Sequence, residues 1–225
     1  MTNLRKAATA VLVRDAEQGL EVLLLERSSH GFFAKMWVFP GGSLDAEDLE
    51  QGAHELEAAQ IAAARETMEE AGIDLNYTDL LPFAHWTPPE GLATRFATWF
   101  FISDDGGEQV VSIDDHEIVG YAWFKPSQAL AMHREGNLPM APPTVVTLTE
   151  LSHFSNCAAA LDFYKERGIF HYLPKVGHKQ GKESLMLYNG DVGYGSGDPD
   201  ASGHRNRVLM KDGICHYETD LLQPG

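Results

Sequence analysis

Glu66, Glu69 and Glu70 stand within five residues of one another, in a stretch that runs Glu57-x7-Arg65-Glu66-Thr67-x-Glu69-Glu70-x-Gly72-Ile73. On a helix, residues at i, i+3 and i+4 share one face. Carboxylates at that spacing repel by roughly 0.2–0.5 kcal/mol per pair. They also fall in the last helical turn, where the dipole presents its negative end. A hard divalent cation removes both penalties, because Mg2+ and Mn2+ prefer carboxylate oxygens. Arg65 is the nearby positive charge, and its fork can fix one glutamate through paired bonds. An isolated Glu-x-x-Glu-Glu is more simply a solvated helix end. The arginine, the fourth glutamate and the closing glycine at fixed offsets make the whole string more specific.

These side chains need a helix to carry them. Residues 53 to 71 are rich in Ala, Glu and Leu, which favour helix, and Gly72 suits a left-handed cap. Ile61, Ala64 and Met68 fall at the spacing of a core-facing stripe. Before the helix, residues 7 to 14 and 21 to 27 read as strands joined by a turn over Asp15–Gly19, and Trp37-Val38-Phe39 leads into Pro40-Gly41-Gly42. After it, 79 to 86, 95 to 103 and 117 to 124 read as strands, with a turn at 104 to 107 and a short helix over 128 to 134. Strands, helix, strands, helix predict a mixed α/β sheet between helices. A tail begins after Ala141-Pro142-Pro143. It reads as one long helix from Thr144 to Arg167, then strands at 184–188, 206–210 and 214–217, the first two separated by a Gly-rich loop. That loop is a plain connection, or else a lid or a dimer contact.

Composition narrows the function classes. The chain has 225 residues and a formal net charge of -16, from 17 basic and 33 acidic residues. This argues against nonspecific nucleic-acid binding and against attraction to anionic membranes. No apolar run approaches the ~20 residues that span a bilayer. The first residues lack the long apolar region of a signal peptide, and the two cysteines are far apart. Both features predict a reducing, cytoplasmic setting.

The glutamate string, preceded by Phe39-Pro40-Gly41-Gly42, resembles the Nudix box, G-x5-E-x7-R-E-U-x-E-E-x-G-U, where U is usually aliphatic. From Glu57 to Ile73 it departs only at Thr67, which stands at an aliphatic position. Fourteen residues separate Gly42 from Glu57 instead of five, which reads as a nine-residue insertion in the loop before the helix. The resemblance implies an α/β/α sandwich over residues 1–143, with 144–225 as a C-terminal extension of helix and β-hairpin. It also implies hydrolysis of a diphosphate linkage in a nucleoside diphosphate linked to another group, with Mg2+ or Mn2+ as cofactor. By that resemblance Glu66, Glu69 and Glu70 hold the metal, a backbone carbonyl near Gly41 or Gly42 completes the shell, and Glu57 is a peripheral ligand. Glu66 is an alternative general base, and Arg65 orients a glutamate. Glu117 is the candidate for a further acid outside the box, with Asp114 or Asp115 as substitutes. A homodimer is expected by analogy alone.

Several further segments, among them LLLERS at 23–28 and WVFPGGSLDAED at 37–48, resemble the CoA and acyl-CoA diphosphatase branch of that family. A CoA substrate would need basic groups for its phosphates, and Arg27, Lys35 and Arg95 are the candidates. Ordinary surface charge is the plainer reading of each. Trp86, Phe96 and Trp99 offer faces for an adenine, although core packing accounts for most such rings. The alternatives are ADP-ribose, NADH or a nucleotide sugar as substrate, or a ligand-binding domain without turnover.

Overall fold

The computed structural model describes residues 4–31, 33–90, 94–104, 109–113, 115–177 and 183–220. The expected turn at 104–107 and the substitute acid Asp114 lie wholly or mostly outside them.

Two apolar runs build the centre. Strand β1 (Leu4–Ala16) and strand β2 (Gly19–Arg27) pair antiparallel across a tight turn. Alternate residues of a strand face opposite ways. Val11, Val13, Val22 and Leu24 enter one core, while Ala10, Leu12, Leu23 and Leu25 enter a second core on the other face. A sheet buried on both faces needs continuous apolar strands, which is why these two show no polar alternation.

Around them lie β3 (Trp37–Val38), β4 (Gly41–Ser43), β5 (Leu81–Trp86), β6 (Arg95–Ser103), β7 (Ile118–Phe124) and β8 (Phe170–Tyr172). The main sheet runs β3-β2-β1-β6-β5-β8, with β4 also on β1 and β7 also on β2. The β1–β6 and β5–β8 pairs are parallel and the rest antiparallel, so the sheet is mixed as expected.

One face is covered by helix α2 (Glu55–Ala71), which follows a short helix α1 (Ala46–Gln51). The insertion therefore holds a helical turn where a loop was expected. The buried stripe of α2 is Ala58, Ala59, Ala62, Ala63, Thr67, Glu70 and Ala71. It is rotated from the expected Ile61-Ala64-Met68 stripe, and Met68 is exposed. Alanines win because they let the helix lie close against the sheet. Thr67 fits at its aliphatic position because its hydroxyl donates to the Ala63 carbonyl at 2.7 Å. Gly72, in the left-handed region at φ 66, donates to the Met68 carbonyl and ends the helix.

The opposite face is covered by α3 (Pro126–Arg134), α4 (Pro142–Leu151) and α5 (Cys157–Arg167). The expected single helix from Thr144 to Arg167 is two helices. The chain breaks over residues 152–156, and Asn156 caps the second helix by accepting from Ala159 N–H at 2.9 Å. A second sheet, β12-β11-β10-β9, combines β9 (Lys175–Gly177), β10 (Ser184–Leu187), β11 (Asn206–Lys211) and β12 (Ile214–Thr219). Its Val208 and Cys215, with Tyr188 just after β10, share the core that holds Val11 and Phe83. The Gly-rich loop between β10 and β11 is pinned by a buried Asp191–Arg207 pair at 2.6 Å.

Candidate metal and active site

The last turns of α2 run beside β4, and this contact assembles the site. Gly41 sits at φ 150 and its N–H donates to Glu70 Oε2 at 2.9 Å. A β-carbon on Gly42 would run into the Glu66 carboxylate. Gly42 thus lets the Glu66 carboxylate approach the strand where a side chain would block it, while Gly41 presents its N–H to Glu70.

Glu70 is buried, and Arg27 Nη1 donates to its Oε1 at 3.2 Å. Burial pushes the Glu70 carboxyl up to about 8, against the lowering effects of the Gly41 N–H and Arg27. Glu66 and Glu117 add to the rise. Glu66 is also held above the usual carboxylate range, first by burial and against the pull of Arg65. Arg27 bridges Glu70 to Glu117, which precedes β7. The structure therefore brings Glu117, from outside the box, to the cluster through Arg27. Asp115 nearby is exposed.

Arg65 uses all five of its N–H groups. Nε and Nη2 grip Asp48 at 3.2 and 2.9 Å, and Nη2 also reaches the Ser43 carbonyl at 3.2 Å. Nη1 holds Glu66 at 3.2 Å and Glu69 at 3.1 Å. Arg65 thus orients Glu66, and Glu69 shares the same nitrogen while its side chain is largely exposed.

Glu57 stands apart. It lies at the other end of α2, where its Oε2 accepts from Ala53 N–H at 2.7 Å. Glu66 is nine positions further on, about 13.5 Å along the axis. The basic candidates also differ from one another. Arg27 is inside the carboxylate cluster. Lys35 is exposed on the loop between β2 and β3, its N–H on the Ser28 carbonyl. Arg95 spends Nε and Nη2 on the Pro88 carbonyl, at 3.1 and 2.6 Å. Trp86 is in the core, stacked on Tyr172 at 3.8 Å, so it offers no free face to an adenine. Trp99 donates to Glu55 and packs on His85.

The donor set suits a hard cation. Glu66, Glu70 and the carbonyls of the glycine strand are oxygen donors. Among the described residues, no group of three or more His, Cys, Asp or Glu forms a complete cage. One or two carboxylates is the share a protein gives Mg2+ when water and substrate phosphates supply the rest. The spacing of the string marked Glu66 and Glu70. It did not mark Asp48, whose available signal was an acid with five residues between it and Gly42, nor the role of Arg27 as a bridge between acids.

The chain is similar to several known proteins. The NUDIX domain family model matches residues 4–143. The acyl-coenzyme A diphosphatase NUDT19 of Xenopus laevis is 28% identical over 160 residues, which is 67% of this chain and 40% of that protein. The chain thus spans well under half the length of that relative. The crystal structure of a NUDIX hydrolase from Alicyclobacillus acidocaldarius superposes with a TM-score of 0.62 at 25% identity, over 72% of this chain and 97% of that one. The NUDIX domain of Shewanella oneidensis NrtR, solved with ADP ribose, has a TM-score of 0.51 at 19% identity, over 68% and 88% of the two chains.

Proposed function

The chain belongs to the NUDIX family, and on that premise we propose that it is a metal-dependent diphosphatase acting on a nucleoside diphosphate linked to a second group. The observation that carries this reading is the pair of carboxylates, Glu66 and Glu70, fitted against the glycines of β4. Glu66 and Glu70 hold Mg2+ or Mn2+, with Glu69 beside them and backbone oxygen from the Gly41–Gly42 strand. When bound, such an ion neutralises phosphate charge and lowers the pKa of a water.

The chain's own residues do the rest. Arg65 fixes the direction of Glu66, and the Gly41 N–H fixes Glu70. A swing of Arg27 away from Glu117 would give its guanidinium to a substrate phosphate. Lys35, exposed on the adjacent loop, is a second phosphate contact. Arg95 contributes through the shape of the segment it holds at Pro88.

CoA or an acyl-CoA is the preferred substrate, giving 3′,5′-ADP and the (acyl-)phosphopantetheine. The support is the similarity to a relative named as an acyl-coenzyme A diphosphatase. The net charge of -16 favours a small substrate over nucleic acid. No helix of the described residues is long and apolar enough to cross a membrane. The test is product analysis with CoA, an acyl-CoA, ADP-ribose, NADH and diadenosine polyphosphates offered in parallel with Mg2+ or Mn2+. Dominant release of 3′,5′-ADP supports the CoA assignment. Cleavage of the others without CoA keeps the reaction class and replaces the substrate.

A further inference from the structure

The bonds of Arg65 lead to an acid that the spacing of the glutamates does not mark. Asp48 is 1% exposed and grips Arg65 with both carboxylate oxygens. It lies six positions after Gly42, with five residues between, and sixteen residues then separate it from Arg65. Glu57 is the acid that the uninterrupted string would place beside Arg65, but it caps the far end of α2 instead.

We propose that Asp48 is the positioning acid of the metal centre, and that the extra residues lie between Asp48 and Arg65. This rests on the metal-dependent reading given above. A guanidinium is planar, so fixing two of its nitrogens fixes the third. With Nε and Nη2 on Asp48, Nη1 points at Glu66 and Glu69. Nη2 also ties the Ser43 carbonyl, so one side chain sets helix and strand together. Asp48 is itself fixed, because its Oδ2 accepts from Asp45 N–H at 2.8 Å at the start of α1. Helix α1, which carries Asp48, acts as a bracket for the plane of Arg65. Freed from Asp48, Arg65 would turn its other donors onto Glu66 and Glu69 and compete with a cation for their oxygens.

The experiment is a Mn2+ titration of the full chain, followed by electron paramagnetic resonance, with Asp48→Asn, Asp48→Glu and Glu57→Gln beside the wild type. The same proteins are assayed on the diphosphate panel, with kcat and KM separated. Asp48→Asn should weaken Mn2+ binding about tenfold or more, the size of effect seen when a ligand loses its supporting partner. The loss should exceed that of Glu57→Gln, fall mainly on kcat, and be partly restored in Asp48→Glu. Wild-type Mn2+ affinity in folded Asp48→Asn overturns the proposal. So does a loss in Glu57→Gln as large as in Asp48→Asn. Should Asp48→Asn not fold, a tenfold loss in Glu57→Gln overturns it and a smaller one supports it. A wild type that binds Mn2+ but cleaves no diphosphate ends the reaction reading alone, since the Mn2+ comparison still decides the role of Asp48. A wild type without a Mn2+ site overturns both.

Discussion

The Gly41 N–H donates to Glu70 Oε2 at 2.9 Å, tying the glycine strand to the last turn of the acidic helix. Even so, burial raises the Glu70 carboxyl from 4.5 to about 8. Between those values the folded protein holds a proton that the unfolded chain has released. The stability this group contributes is present at low pH and lost as pH rises through about 8. Metal-free protein should therefore melt at a lower temperature at about pH 8.5 than at about pH 5.5. Glu70→Gln should flatten that difference. Thermal melts of both proteins in chelator check it, and equal slopes would contradict it.

The same titration governs metal affinity. A cation needs the Glu70 carboxylate, so Mn2+ binding should tighten as pH rises toward about 8 and release a proton. Calorimetry in two buffers of different ionisation heat measures that proton.

Gly42→Ala puts a methyl group against the Glu66 carboxylate. Its backbone is not in the left-handed region, so the strand itself can accept alanine. The expected result is about a tenfold loss of Mn2+ affinity with little change in stability. Titration and a urea curve on one preparation separate the two effects.

Gly41→Ala should act on stability as well. Gly41 sits at φ 150, and a β-carbon there would strike the Ala8 carbonyl. The cost should be at least about 1–3 kcal/mol, read from the urea midpoint.

Glu150 ties the tail together, and its partner Arg167 joins the tail to β5. Its carboxylate takes Arg167 at 3.0 Å, Tyr164 at 3.1 Å and Tyr172 at 2.7 Å, while Arg167 also reaches the Phe83 carbonyl on β5. Glu150→Gln leaves Arg167 without its counter-ion, and breaking such a buried pair costs about 3–5 kcal/mol. The folded fraction should keep its Mn2+ affinity, because α4 packs on the face of the sheet opposite α2. Equilibrium unfolding and Mn2+ titration check the two halves.

The sequence showed the parts of this molecule that follow local rules. The apolar runs of β1 and β2, and the spacing of Glu66, Glu69 and Glu70, are periodic features that need no tertiary knowledge. The misreadings share one cause, since each depended on what lay across a gap in the chain. Met68 matched a helical stripe, yet the sheet selects the alanine face because only small side chains let α2 approach. Residues 152–156 sit inside an apparently continuous helix, and the capping Asn156 was the available sign of the break. Asp48 was hidden because its partner Arg65 is seventeen positions away in sequence. Arg27 was legible as a basic group, but its place between Glu70 and Glu117 is set by the β2–β7 register and was not.

The central claim is that Glu66 and Glu70 hold the cation that drives diphosphate cleavage. The most direct measurement is turnover of the diphosphate panel with Mg2+ or Mn2+ by the wild type and by folded Glu70→Gln, beside Mn2+ titrations of both. The account predicts metal-dependent cleavage by the wild type, a fall of at least about a hundredfold in Glu70→Gln, and a matching loss of Mn2+ binding. Unchanged turnover in Glu70→Gln, or cleavage that proceeds without a divalent ion, would contradict it.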